Sequence, residues 1–197
     1  MRLQPILAAI LALAACTPGP TTPGPDSDSS YTPSSSSSSG AGAEEIVYGD
    51  RCNGAPIHDK VTRVLDGDTV EISSDLKVRL LLIDTPEISH NSHEVAECFG
   101  DEAREFTTDH LLGKWVDLEY DVECTDRYGR LLAYLTTPVT HAPEGTVFNT
   151  LLLSEGYATV LYIPPNGADH VSEYRDIAQH AENSSAGGYG VCANFNP

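Results

Sequence analysis

Between positions 60 and 136 the apolar residues recur mainly at spacing two, and a single stretch of helical spacing interrupts them. Short β-prone pieces at 60–65 and 69–73 flank Asp66-Gly67-Asp68, whose Asp-Gly step suits a tight turn. A third strand is expected over 77–83, with Val78, Leu80 and Leu82 on one face and Arg79, Leu81 and Ile83 on the other. Pro86 ends it, because proline brings no donor to the ladder, and the polar stretch 89–94 reads as a loop. From 97 to 112 Phe99, Ala103, Phe106 and His110 or Leu111 return at helical spacing. Alternation then resumes: Val116, Leu118, Tyr120 and Val122 predict a fourth strand over 115–122, and a turn at Tyr128-Gly129 leads to a fifth over 130–136. Further helices are expected at 146–153 and 171–183, the latter with Val171, Tyr174, Ile177 and Ala181 on one face.

Five strands, a helix inserted after the third and helices after the fifth fit neither a parallel-sheet alternation nor a sandwich. They fit an α+β chain, a partly open five-stranded β-barrel of the OB type with about three helices packed around it. The ends of the chain carry a different pattern. Met1-Arg2 precedes an apolar run from Ile6 to Ala15, too short for the roughly 20 residues of a membrane span and of the form of a signal peptide. Leu13-Ala-Ala-Cys16 resembles the lipobox of bacterial lipoproteins, which implies that 1–15 is removed and that Cys16 becomes the lipidated first residue. Thr17, where an aspartate would direct retention, implies the outer membrane, with the protein periplasmic or surface-facing. Residues 16–45, rich in Ser, Pro and Gly and including serines at every position from Ser34 to Ser39, have almost nothing to bury and read as a disordered tether. One domain over 46–197 remains, long enough for a single core.

Four cysteines follow Cys16, and an even number in an exported chain reads as two disulfides. A zinc site is disfavoured because no close Cys-x-x-Cys pair occurs. Cys98 precedes a helix and Cys124 ends a strand, while Cys52 and Cys192 bracket the domain, so the nested pairing Cys98–Cys124 and Cys52–Cys192 is expected. Each bridge would contribute roughly 2 to 4 kcal/mol. The formal net charge of −18 slows encounter with a polyanion but does not decide what a local site binds.

The chemistry is concentrated in three stretches. Asp66 and Asp68 stand two apart on extended chain, so their side chains can point together. Asp84 and Glu87 follow the third strand across a proline that stiffens the turn. Oxygen donors of this kind suit calcium or magnesium, and an exported location favours calcium. Arg79, unusual among leucines on a strand, and Arg130, in Asp126-Arg-Tyr-Gly-Arg130, offer planar forks for phosphate oxygens. Salt bridges to the many carboxylates are the competing use of both. Glu87 is a candidate general base, with a further metal ligand as its rival role.

Together, Leu65-Asp-Gly-Asp-Thr69, Val78-Arg-Leu-Leu-Leu-Ile-Asp-Thr-Pro-Glu87 and Asp126-Arg-Tyr-Gly-Arg130 resemble the thermonuclease, or staphylococcal nuclease, family of calcium-dependent OB-fold nucleases. The resemblance runs from about position 60 to position 166. It implies that Asp68, Asp84 and the backbone carbonyl of Thr85 ligate calcium, with Asp66 behind them. It further implies that Arg79, Glu87 and Arg130 form the phosphate-binding and catalytic trio. The implied activity is cleavage of DNA and RNA with low sequence specificity, leaving 3′-phosphate ends, and no obligate protein partner is expected. Tyr162 matches one of two substrate-contacting tyrosines of the family, while the position of the second holds Pro164. A loop that is lysine-rich in the family reads Ser89-His-Asn-Ser-His93, and His90 and His93 are read as exposed loop residues and not as ligands. Two alternatives stay open: a non-catalytic OB module that binds nucleic acid or protein at the cell surface, and a structural lipoprotein. The first has no need of Glu87 together with both arginines; the second leaves the carboxylates unexplained.

Overall fold

β1 (Val47–Tyr48) is a short edge piece paired to β2 (Pro56–Val64), which turns at Leu65–Asp68 into β3 (Thr69–Ile72), and β4 (Lys77–Leu80) follows. The computed structural model describes residues 52–89, 95–137 and 145–197 with the backbone of 47 and 48. The expected signal peptide over 1–15, the expected lipidation site Cys16, the expected tether, and His90 and His93 lie outside the described residues. The remaining elements are β5 (Ile83–Asp84), α1 (Gly100–Leu111), β6 (Trp115–Thr125), β7 (Leu131–Thr136), α2 (Phe148–Ser154), β8 (Thr159–Val160), α3 (Val171–Asn183) and α4 (Gly188–Val191).

The barrel runs β2-β3-β4-β7-β6 and closes, because β2 pairs antiparallel with β6 through His58↔Asp117 and Lys60↔Trp115. The fold is therefore the expected five-stranded OB barrel with helices, closed and not partly open. Closure removes the exposed edge that an open sheet would present. Val61, Val70, Ile72, Val78, Leu80, Val116, Ala133 and Leu135 are almost completely buried and fill the interior. Along β6 the alternation sets buried Val116, Leu118 and Tyr120 against exposed Asp117 and Glu119, then fails at a register shift between Tyr120 and Thr125. Beyond that irregularity Val122 is 69% exposed, so its expected place on the buried face is corrected.

A second correction shapes the site. The strand expected over 77–83 stops at Leu80, and Leu82 takes a left-handed backbone, φ 64°, before the chain resumes as β5 against β8. Leu80, Leu81, Leu82 and Ile83 are all buried, so spacing-two patterning cannot mark the break. What fixes the break is polar: Leu81 N–H donates to the Ala133 carbonyl, 3.0 Å, while the buried Asn149 amide of α2 donates to the Leu81 carbonyl, 2.9 Å. Asn149 also accepts from Leu135 N–H at 3.1 Å, tying α2 to β7.

Helix α1 begins at Gly100, later than the periodicity suggests, because Phe99 adopts φ 76°. Helix α3 occupies the expected 171–183, with Tyr174, Ala178 and Ala181 buried. No helix of the described residues is long and apolar enough to cross a membrane.

The nested disulfide pairing is also corrected: Cys52 is bonded to Cys124 and Cys98 to Cys192. The antiparallel register of β2 on β6, continued backwards from His58, carries Cys52 to the stretch of β6 that ends in Cys124. Tyr120 Oη donates to the Pro56 carbonyl at 2.6 Å and holds those two ends together. The second bridge follows from the chain's last residues folding back: Phe195 meets Phe99 edge-on at 6.2 Å, beside Cys98.

Candidate active site

The β2–β3 turn and the segment after β4 meet at the carboxyl end of β4, and the β6–β7 turn leads into β7, which runs parallel beside β4 and brings Arg130 to the cleft that Arg79 lines. In the first, Asp68 N–H donates to Asp66 Oδ1 at 3.1 Å, which folds the turn over itself. Gly67 is required here: a Cβ would stand 2.7 Å from Thr85 Oγ1. Thr107 of α1, buried in the helix face, donates to the Gly67 carbonyl at 2.6 Å and pins the turn from beneath.

Asp68 is buried, and each of its oxygens is oriented. Oδ2 accepts from Thr85 N–H at 2.9 Å and from Thr85 Oγ1 at 3.1 Å; Oδ1 accepts from Thr69 Oγ1 at 3.1 Å and lies 3.0 Å from Arg79 Nε. Burial pushes its carboxyl up to about 6, with Arg79 and the Thr85 hydrogen bonds pulling the other way and the Asp66 charge adding to the rise. Asp84 is also raised, first by burial, against the pull of Arg79 and with the neighbouring Asp68 charge contributing.

One guanidinium joins the two carboxylates. Arg79 Nη2 donates to Asp84 Oδ1 at 2.6 Å, and Nη1 donates to the carbonyls of Leu80 and Ile83, both at 2.8 Å. Three of the five N–H bonds of Arg79 donate inside the protein, and Nε stands 3.0 Å from Asp68 Oδ1 as an ion pair. The two-pronged phosphate fork expected of Arg79 is thus mostly committed to two backbone carbonyls and the two carboxylates. The bend at Leu82 is what makes this possible, since it brings Ile83 and Asp84 back toward β4.

Arg130 is disposed differently. Its Nε donates to Asp126 Oδ2 at 2.7 Å and its backbone N–H to Asp126 Oδ1 at 3.0 Å, which leaves the two terminal nitrogens outside these bonds. Burial works against the charge on Asp126, yet the hydrogen bonds from Arg130 and Tyr128 outweigh it and hold the carboxyl below its ordinary range. Arg79 and Arg130 line the same cleft of about 730 Å³, together with Tyr128, Leu161 and Ile163.

Tyr128 stands out in this cleft. It is 69% exposed, with the guanidinium of Arg127 4.7 Å and that of Arg130 5.6 Å from its ring centre. From the sequence it is expected only as a turn residue, and an aromatic between two arginines in a turn is the signal that marks it. Tyr162, the expected substrate contact, is half-buried against the core, and its neighbours Leu161 and Ile163 line the cleft instead.

Glu87 is exposed, three residues beyond Asp84. Its backbone is held on both sides by Glu97, a residue that no motif singles out: Glu87 N–H donates to Glu97 Oε2 and Glu97 N–H donates to the Glu87 carbonyl, each at 2.9 Å. Among the described residues no group of three or more His, Cys, Asp or Glu side chains is placed to hold a metal ion.

The staphylococcal nuclease homologue family pattern matches residues 77–187, more than half of the chain. The chain belongs to that family. It is 38% identical over 125 residues to the thermonuclease of Staphylococcus intermedius, covering 62% of this chain and 67% of that protein. It is 40% identical over 110 residues to the thermonuclease of Staphylococcus hyicus, covering 54% and 61%. Endonuclease YncB of Bacillus subtilis is 30% identical over 143 residues, covering 68% and 64%. The chain thus spans about two thirds of the length of these relatives. At the level of this family, its general activity is of the nuclease type.

Proposed function

We propose that this chain hydrolyses phosphodiester bonds of DNA and RNA with calcium, at low sequence specificity, and leaves 3′-phosphate ends. The observation that carries this reading is that Asp68 and Asp84, both raised by burial, stand on the guanidinium of Arg79, and Arg79 lines the cleft to which Arg130 brings its terminal nitrogens. Two desolvated carboxylates and a backbone carbonyl are hard oxygen donors, the set calcium prefers. Asp68, Asp84 and the Thr85 carbonyl would hold the ion, with Asp66 fixing the turn behind Asp68.

When bound there, calcium supplies Lewis-acid polarisation of a phosphoryl oxygen. Arg130 donates to the phosphoryl oxygens, where two donors in a plane act on charge that grows in the transition state. Arg79 keeps the two carboxylates at fixed separation and directs its remaining N–H to the phosphate. Glu87 takes the proton of the attacking water as its oxygen bonds to phosphorus, the P–O5′ bond breaks, and the departing 5′ oxygen takes a proton from solvent. Tyr128, with Leu161 and Ile163, offers a flat apolar wall on which an unpaired base can stack. The acidic surface and the absence of the family's lysine-rich loop weaken attraction to the phosphate backbone and its dependence on salt. The same proposal takes the protein as exported and anchored through lipidated Cys16, acting outside the cytoplasm.

Digestion of single-stranded DNA and of RNA by the mature protein tests this reading. Cleavage in millimolar calcium that stops on chelation supports it; intact substrate, or equal cleavage with and without chelator, overturns it.

A pH dependence follows from Asp68. Its folded-state pKa of about 6 lies above the ordinary 3.8, so ionising Asp68 costs stability as pH rises through that window, and calcium relieves the cost only where the carboxylate is charged. The rise in melting temperature caused by calcium is therefore expected to be large at pH 7.5 and mostly lost at pH 5. Thermal denaturation at both pH values, with and without calcium, checks this; an equal shift at both would show that Asp68 is not a ligand.

A further inference from the structure

We propose that Glu97 is a positioning residue for Glu87 in the hydrolytic step. The inference rests on the reading of Glu87 as the proton acceptor. Glu87 leaves the barrel after Pro86 with an exposed side chain. The peptide plane before its Cα is fixed by the bond from its N–H to Glu97 Oε2, and the plane after it by the bond from Glu97 N–H to its carbonyl. The two dihedral angles between those planes decide where Cβ points, so one residue sets the direction in which the carboxylate leaves the chain. The start of α1 presses on the same carbonyl: a Cβ on Gly100 would stand 2.6 Å from Glu87 O, which only glycine permits.

Glu97 is itself anchored. Its carbonyl accepts from Gly100 N–H at 3.1 Å, the next residue, Cys98, is bonded to Cys192, and Phe99 stacks on Tyr157 at 5.1 Å. An exposed glutamate in so acidic a chain is ordinarily a solvated side chain, and the reciprocal pair of bonds is what separates this one from the others. Its charge also faces the site, since Glu97 adds to the rise that burial gives Asp84. Positioning through the acceptor oxygen and action through the charge therefore make different predictions.

The test uses the full domain with both disulfides formed, saturating calcium and single-stranded DNA. In Glu97→Ala, kcat is expected to fall about 10- to 100-fold, the order of loss that small misplacement of a reacting group produces, with KM changed less than about threefold. Glu97→Gln keeps an acceptor oxygen and is expected to stay within about threefold of native kcat. In a Glu87→Gln background, Glu97→Ala should cost almost nothing further, because two residues that act through one group are not additive. Melting temperatures of the variants separate these effects from loss of fold. Native kcat in Glu97→Ala, equal losses in the Ala and Gln variants, or an undiminished loss in the Glu87→Gln background would each overturn the proposal. A native protein with no calcium-dependent turnover would instead overturn the functional reading beneath it.

Discussion

Glu87→Gln is expected to lower kcat for single-stranded DNA by about 10²- to 10⁴-fold, the range associated with removing a positioned general base. Glutamine has nearly the shape of glutamate and still hydrogen-bonds to water, but it cannot take up a proton. Glu87 is exposed and stands outside the buried core, so the variant should keep the native fold, which a melting curve checks. Calcium affinity, measured by calorimetry without substrate, separates the two roles that the carboxylate can play. Unchanged affinity with collapsed turnover identifies a base, whereas loss of both identifies a metal ligand. Turnover within a few-fold of native would remove Glu87 from the mechanism.

Arg130→Lys is expected to lower kcat/KM by about 10²- to 10³-fold, comparable to loss of a donor at a site of developing charge. Lysine retains the positive charge but not the planar geometry, in which Nε rests on Asp126 while the terminal nitrogens remain for the ligand. Asp126 would still accept from the backbone N–H groups of Tyr128 and Arg130, so the β6–β7 turn should survive the change. A steady-state comparison at fixed ionic strength, with a melting curve as control, measures the effect. A lysine variant within threefold of native would show that charge alone suffices. The equivalent change at Arg79 is a poorer probe of phosphate binding, because it would also break the link between Asp68 and Asp84.

These expectations depend on features of unequal visibility in the sequence. Asp66-Gly67-Asp68 was legible because an Asp-Gly step between alternating segments has one economical conformation, and the structure makes it the turn that presents Asp68. The barrel was legible for a similar reason, since burial on one face of each strand imposes a period of two. The stretch 80–83 was not, because all four residues are buried and the pattern has no polar member to show where the strand ends. Its ending depends on Asn149, which lies 68 positions away from Leu81 in the chain.

The same limit applies to the cysteines. Positions near element ends suggested a nested pairing, but antiparallel closure of β2 on β6 selects Cys52–Cys124, and the return of the C-terminal segment selects Cys98–Cys192. Glu97 and Thr107 were silent because their partners are backbone atoms, which no residue type advertises. Arg79 stands out in the sequence as an arginine among leucines; the competing salt bridges are present, and backbone carbonyls, which no residue type marks, take two more of its donors.

The measurement that bears most directly on the central claim is the chemistry of the ends left on end-labelled single-stranded DNA after limited digestion in calcium. Water attack with departure of the 5′ oxygen predicts fragments with 3′-phosphates, which a polymerase extends only after phosphatase treatment, and no such fragments from Glu87→Gln in the same time. Fragments carrying 3′-hydroxyl ends, extended without phosphatase, would contradict the account.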